Sequence, residues 1–325
     1  MPRAVICREL GPPEKLRLEI FASRLLGAGQ VRVAVRAAGI NFPDILMATG
    51  QYQLKPDLPF TPGVESAGDV VEVAGDISSV AVGDRVIVKL RHGGYADEVV
   101  VTPAQLTPLP STFDYAEGAT YLAAHGTAHH ALVDRAALQS GEVLLVHGAG
   151  GGVGLAAVEV GKLLGATVIA AASSEQKLAI AKSKGADHLV LYAREPFRDA
   201  VKRVTDGRGA DVVFDPVGGE VFENSLRCIA FGARVLVVGF TGGIGLARTN
   251  LLLIKGASLL GVRAGEASRR NPDIGAARIG ALLQWAEAGK IRPHISHRLP
   301  LEDCAKAMRL LIDRKAIGRV ALITR

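Results

Sequence analysis

The chain has 325 residues, 49% of them hydrophobic and 22% charged, which is enough to bury the cores of two domains. Its three cysteines, Cys7, Cys228 and Cys304, lie far apart, which excludes a disulfide framework or a four-cysteine zinc lobe. The net charge of +6 is scattered over short runs with only 5% aromatic residues, so it reads as a solvated surface that favours an anionic cofactor, not as a nucleic-acid face. No uncharged apolar run of 18 residues and no signal-peptide stretch occurs, so neither a membrane span nor export is expected, and the expected location is cytoplasmic.

Residues 30–37 (QVRVAVRA) alternate apolar and polar side chains, as a half-buried strand does. Further short strands are expected at 66–73, 84–88 and 95–101, between Gly, Pro and Asp turns. Asp44 reads as the cap of a short helix at 45–49. Closely spaced short strands without a long helix indicate a small β-barrel-like domain. Near residue 114 the texture changes: 116–133 reads as one helix, and strands then alternate with helices. Strands are expected at 143–146, 167–172, 210–214, 234–238 and 258–263, with helices at 155–164, 175–184, 197–204 and 221–228. That alternation is the mark of a doubly wound parallel sheet in an α/β fold. A helix at 274–288, another at 301–312 and a strand at 319–324 follow.

The densest signal is VLLVHGAGGGVG at 143–154. An apolar run leads into a turn crowded with glycines, and a helical pattern follows. Gly148, Gly151 and Gly154 stand at i, i+3 and i+6, whereas the common dinucleotide fingerprint has i, i+2 and i+5. The strand before and the helix and strand after carry the assignment. Backbone N–H groups of Gly150, Gly151, Gly152, Val153 and Gly154, at a helix N-terminus, suit a pyrophosphate. At the tip of the next strand, where an NAD site has a carboxylate, stand Ser173 and Ser174, then Lys177. Two hydroxyls and an ammonium suit a 2′-phosphate, so the expected cofactor is NADPH, although either serine also suits a helix cap.

GINFPDILMATGQY (39–52), PFTPGVESAGDVVEVA (59–74), VGDRV (82–86), HGAGGGVG (147–154), DVVFDPVGG (211–219) and GRVALI (318–323) together resemble the zinc-independent, zeta-crystallin-like quinone oxidoreductases of the medium-chain dehydrogenase/reductase family. The resemblance covers nearly the whole chain. It implies a GroES-like β-barrel domain from both chain ends, residues 1–123 and 266–325, with a Rossmann domain at 124–265. It also implies a homodimer, with the strand at 258–263 on the sheet edge.

Zinc-dependent relatives carry a cysteine near the position of Asn41 and a histidine where this chain has Val64, within Gly63-Val64-Glu65. Both ligands are missing, so no metal is expected. His125, His129 and His130 form a second metal candidate, read as structural or surface histidines. The resemblance further implies that Tyr52 donates a hydrogen bond to the acceptor, or is merely a loop tyrosine, and that Asn41 lies near the nicotinamide ribose and the acceptor, or merely holds a turn. Thr127 matches a residue beside the nicotinamide, and Lys177 and Tyr192 match contacts to the 2′-phosphate and adenine. Gly239, Phe240 and Thr241 follow a strand end where a nucleotide crevice is expected. Arg319 matches a C-terminal segment near the cofactor, or is a surface cation. The activity implied is hydride transfer from NADPH to a quinone. Reduction of an enone, alkenal or enoyl thioester is one alternative, with Arg263, Arg269 and Arg270 available to a coenzyme A phosphate. A non-catalytic nucleotide- or nucleic-acid-binding role is another.

Overall fold

The computed structural model describes residues 1–324. The chain divides into two compact units, Ala124–Trp285 and a second made of Met1–Ala123 with the chain from Ala286 onward.

In the unit Ala124–Trp285, parallel strands lie in the order His188–Leu191, Thr167–Ala172, Val143–Val146, Ala210–Asp215, Ile229–Val237, Ser258–Gly261. Numbered by position in the chain this is 3-2-1-4-5-6, the Rossmann order, whose switch point lies between Val143–Val146 and Ala210–Asp215. The apolar run 143–146 is explained by burial on both faces. Leu144 and Val146 pack with Leu155 and Val158 of the helix Gly152–Leu163, while Val143 and Leu145 pack with Phe197 and Phe222. Each fully buried leucine contributes about 1.5–3 kcal/mol.

The expected helix at 116–133 is broken. Asp114 caps a short helix, Tyr115–Gly118, and a second runs Leu122–His129. It continues as a wider π-helical turn, His130–Arg135, closed by Ala136 N–H on Ala131 O at 2.9 Å. That turn sets Asp134 between His130 (2.8 Å) and Arg278 (2.7 Å). The buried Arg278 and Leu282, on the helix Pro272–Glu287, tie that helix to the parallel-sheet unit. The compact unit runs on to Trp285, whereas the resemblance implied a boundary at residue 265.

In the other unit the strand Val31–Gly39 is the hub. It pairs antiparallel with Glu65–Val73, with Glu98–Val101 and with Arg319–Ile323. The last pairing joins the two ends of the chain in one sheet, with Ala321 opposite Gly39. Irregularities at Arg32/Val33 and Val35/Ala37 bend the hub strand, which lets one strand serve three partners. Strands Arg3–Ile6, Arg17–Ile20 and Ile295–Pro300 and helices Thr249–Lys255 and Ala264–Arg270 went unmarked in the sequence pattern.

Candidate functional site

The glycine turn occupies the carboxyl end of Val143–Val146, beside the switch point. Gly148 has φ +56°, a conformation that glycine adopts without penalty. Its carbonyl accepts the Gly151 N–H at 2.9 Å, closing the turn. Gly151 is the exposed N-cap of the helix Gly152–Leu163. A Cβ at Gly154 would lie 2.3 Å from Gly148 O, and one at Gly150 would lie 2.5 Å from the Lys177 side chain. The turn is thus packed as tightly as bare backbone permits, with Gly151 open to solvent at a helix N-terminus, and a pyrophosphate fits there.

Ser173, Ser174 and Lys177 come together at the end of Thr167–Ala172. Lys177 Nζ lies 3.4 Å from Ser173 Oγ, and Ser174 Oγ caps the helix Glu175–Ser183 by accepting the Lys177 N–H at 3.4 Å. The nearest carboxylate in sequence, Glu175, is ion-paired with Arg194 at 2.8 Å.

Tyr192 follows His188–Leu191. Its hydroxyl lies 2.9 Å from His147 Nδ1 and accepts the Gly148 N–H at 3.4 Å, so it braces the turn itself. Burial raises its pKa. Gly239, Phe240 and Thr241 form a loop after Ile229–Val237. Thr241 donates to Pro216 O at 3.2 Å, and the Phe240 ring is exposed. Asp215, buried at the end of Ala210–Asp215, accepts the N–H groups of Val217 (2.7 Å) and Gly218 (3.0 Å) and so shapes the loop facing the glycine turn. Asp215 and His147 were missed by sequence reasoning, although the Asp-Pro-x-Gly-Gly string was a turn signal.

Thr127 is half-buried on the helix Leu122–His129. The nearby histidines do not converge. His125 Nε2 meets Glu159 at 2.9 Å, His129 packs on Trp285, and His130 bonds Asp134. Arg269 and Arg270 both pair with Glu266.

In the GroES-like unit, Asn41 and Arg319 meet although 278 residues separate them. Register explains it: with Ala321 opposite Gly39, Arg319 falls opposite Asn41 just beyond the ladder. Arg319 Nη2 donates to Asn41 Oδ1 at 2.8 Å, and Asn41 Nδ2 donates to Gly39 O at 3.2 Å. Arg319 is therefore a buried, placed cation, and not a surface one. Glu65 brings a buried carboxylate, Oε2, to 3.8 Å from Arg319, while its Oε1 accepts the Ala123 N–H at 3.0 Å. Burial pushes the Glu65 carboxyl up to about 7 against the pull of Arg319.

Asp44 is more than a local cap. It lies inside the helix Phe42–Ala48, completely buried, and accepts from Asn41 N (2.9 Å), Tyr95 Oη (2.7 Å) and Gly63 N (3.2 Å). Burial pushes it up to about 6, although those three bonds favour the carboxylate. Asp44, Glu65 and Tyr95 thus complete a cluster of which only Asn41 and Arg319 had been named as candidate site residues, Asp44 having been read as a cap. Tyr52 lies in the loop after Phe42–Ala48. Its ring packs on Cys7, Met47 and Phe60, and its hydroxyl has no hydrogen-bond partner among the described residues. A cavity of about 250 Å³ opens in the same region, lined by Met47, Gly50, Lys55 and Leu58.

Comparison with known proteins matches both units. The family described as "Alcohol dehydrogenase GroES-like domain" matches residues 27–111, and the one described as "Zinc-binding dehydrogenase" matches residues 152–277. The chain is 40% identical to the "Quinone oxidoreductase-like protein 2 homolog" of Nematostella vectensis, over 99% of this chain and 89% of that one. A solved probable oxidoreductase from Mycobacterium abscessus superposes with a TM-score of 0.90 at 36% identity, covering 99% of this chain and 98% of that one. A mycobacterial structure solved in complex with NADPH also gives 0.90, at 28% identity and 99% coverage of both chains. A relative this similar over nearly the full length, with both units matched, shows that the chain belongs to the medium-chain dehydrogenase/reductase family, among its quinone oxidoreductases.

Proposed function

We propose that this chain is an NADPH-dependent reductase that passes hydride to a quinone without a metal. The observation that carries the reading is the meeting of Ser173, Ser174 and Lys177 at the strand tip, where the carboxylate nearest in sequence, Glu175, is already paired with Arg194. That polarity favours a 2′-phosphate over a bare ribose diol. Gly150, Gly151, Gly152, Val153 and Gly154 hold the pyrophosphate. Thr127, Tyr192, Gly239, Phe240 and Thr241 complete the nucleotide contacts.

When bound, NADPH supplies the hydride; charge control falls to the chain. Arg319 fixes the Asn41 amide by holding its Oδ1, and Gly39 O takes one Nδ2 hydrogen. An amide nitrogen carries two hydrogens, so one is left to donate to an acceptor oxygen. The Tyr52 hydroxyl is a second donor. Such neutral donors suit a conjugated acceptor, whose incoming charge is spread onto a distant oxygen. Asn41 and Val64 stand where zinc-dependent relatives carry cysteine and histidine, and an amide and an isopropyl group do not replace a thiolate and an imidazole.

The protein acts as a homodimer in this reading. Ser258–Gly261 is the edge strand of its sheet, and Phe231, Leu253 and Ile254 are exposed apolar residues of the same unit. Light scattering on the purified protein tests this, and a monomer at micromolar concentration would reject it.

The activity is tested by following NADPH oxidation with a simple quinone, an enone and an enoyl thioester in parallel, with NADH as control. Turnover with quinone and NADPH is expected. Turnover confined to the enone or thioester would move the enzyme to the double-bond reductases, and preference for NADH would overturn the role of Ser173, Ser174 and Lys177.

A further inference from the structure

His147 directly follows the strand Val143–Val146, and its side chain is shut off from solvent. Its backbone N–H donates to Phe214 O at 3.0 Å, carrying the parallel ladder one residue beyond the strand. The imidazole lies nearly parallel to the Tyr192 ring, centroids 6.1 Å apart, and meets the edge of Phe197 at 4.7 Å.

Both ring nitrogens are engaged, and the chain of bonds has only one consistent direction. Ser225 Oγ lies 2.7 Å from Val221 O, and a carbonyl can only accept, so the serine proton is used there. Ser225 Oγ must then accept from His147 Nε2, 2.8 Å away. A neutral imidazole that carries its proton on Nε2 has a bare Nδ1. Nδ1 therefore accepts from the Tyr192 hydroxyl at 2.9 Å. With its proton so committed, the phenolic oxygen is free to accept the Gly148 N–H at 3.4 Å. Burial keeps the imidazole neutral, pushing it down to about 3.

We propose that His147, locked as the Nε2–H tautomer, is a positioning residue for nucleotide binding. It turns the Tyr192 proton away from the glycine turn, so that the phenolic oxygen braces Gly148 and the ring is held beside the pocket. The chain ends on Ser225, the last residue of the helix Gly219–Ser225. The glycine turn, the loop after His188–Leu191 and that helix are thereby set together before any ligand arrives. This inference rests on reading Gly148–Gly154 as the nucleotide site.

Two measurements on the full-length protein test it. Imidazole ¹⁵N shifts of the ligand-free wild type are expected to show a protonated Nε2 and a bare Nδ1, unchanged from pH 5 to 8. NADPH titration by fluorescence is expected to show affinity about five- to tenfold weaker in His147→Phe and in Tyr192→Phe, the worth of one buried hydrogen bond. The double variant is expected to be no weaker than either single one. His147→Asn, which restores an acceptor near the Nδ1 position, is expected to recover most of the affinity. An Nδ1–H tautomer, a titrating ring, additive losses, or wild-type affinity in Tyr192→Phe would each overturn the proposal, and the shifts and Tyr192→Phe decide it even if His147→Phe does not fold. Wild-type protein that shows the expected tautomer but binds no NADPH would overturn the nucleotide reading itself.

Discussion

Gly151 and Gly154 are expected to fail in different ways when each is changed to alanine. At Gly154 the new Cβ would sit 2.3 Å from Gly148 O and 2.9 Å from Ala149 Cα, both backbone atoms. Reaching an ordinary contact requires the turn to open by roughly 1 Å, and such overpacking costs about 1–3 kcal/mol. The Gly148 O to Gly151 N–H bond is strained in the same movement, adding about 0.5–1.5 kcal/mol. The higher helix propensity of alanine returns about 1 kcal/mol. Gly154→Ala should therefore lower stability by about 0.5–3.5 kcal/mol, the balance of these terms, and weaken NADPH binding as well. Gly151 is exposed, its φ of −85° suits alanine, and its Cβ would meet only Gly148 O at 3.3 Å. Replacing glycine by alanine at such an N-cap costs about 0.5–1 kcal/mol. The methyl group would nevertheless stand where a pyrophosphate approaches. Gly151→Ala should thus lose no more than about 1 kcal/mol of stability, yet lose about tenfold or more in NADPH affinity, the cost of lost contact to one charged group. Chemical denaturation and fluorescence titration on both variants separate the two effects. If Gly151→Ala binds NADPH as the wild type does, the pyrophosphate does not lie against this turn.

Glu65 makes stability depend on pH. Its carboxyl, held up to about 7 against an ordinary 4.5, keeps its proton in the folded state after the unfolded chain has lost it. Stability therefore falls as pH rises from 4.5 to 7, by up to about 3 kcal/mol, and Glu65→Gln should remove most of that slope in denaturant titrations at pH 5 and 8. An unchanged slope would assign it to other groups. Lys177→Ala should weaken NADPH binding by about ten- to a hundredfold and leave NADH nearly unaffected, because only a 2′-phosphate uses the ammonium. Equal losses for both nucleotides would remove Lys177 from that role. Arg319→Ala leaves the buried Glu65 unpaired and should cost about 3 kcal/mol of stability, with full stability as the refuting result. Tyr52→Phe should lower kcat/KM for a quinone by about tenfold without changing NADPH affinity, the loss of one donor to a developing charge. An unchanged kcat/KM would leave Tyr52 as a packing residue of its loop.

The parallel-sheet unit was legible because its central strands are buried on both faces and read as continuous apolar runs between glycine turns. His188–Leu191 escaped because its apolar run, Leu189–Leu191, is only three residues long. The helix Pro272–Glu287 was visible from its period, but its allegiance was not, since that depends on Arg278 reaching Asp134. Asn41 and Arg319 were each marked by resemblance, while their contact follows from strand register, which no local pattern encodes. Asp44 shows the opposite error. A carboxylate at a helix start has an adequate local explanation as a cap, and its tertiary partners Tyr95 and Gly63 lie 51 and 19 residues away. His147 hid for a similar reason, standing between an apolar run and a glycine cluster that each drew the eye to something else.

The pairing of Val31–Gly39 with Arg319–Ile323 has a consequence for how the protein matures. On the ribosome the first unit emerges with its hub strand lacking one neighbour, and the parallel-sheet unit is then made in full before the missing strand appears. Until then the Asn41 amide has no guanidinium to orient it and Glu65 has no counter-charge. The nucleotide turn can therefore form early, while the polar cluster assembles only when the last strand is threaded home. A chain stopped short of Arg319 would retain the dinucleotide-binding residues without the arginine that sets the charge of the other unit, so binding of cofactor is a poor gauge of whether a given molecule is competent.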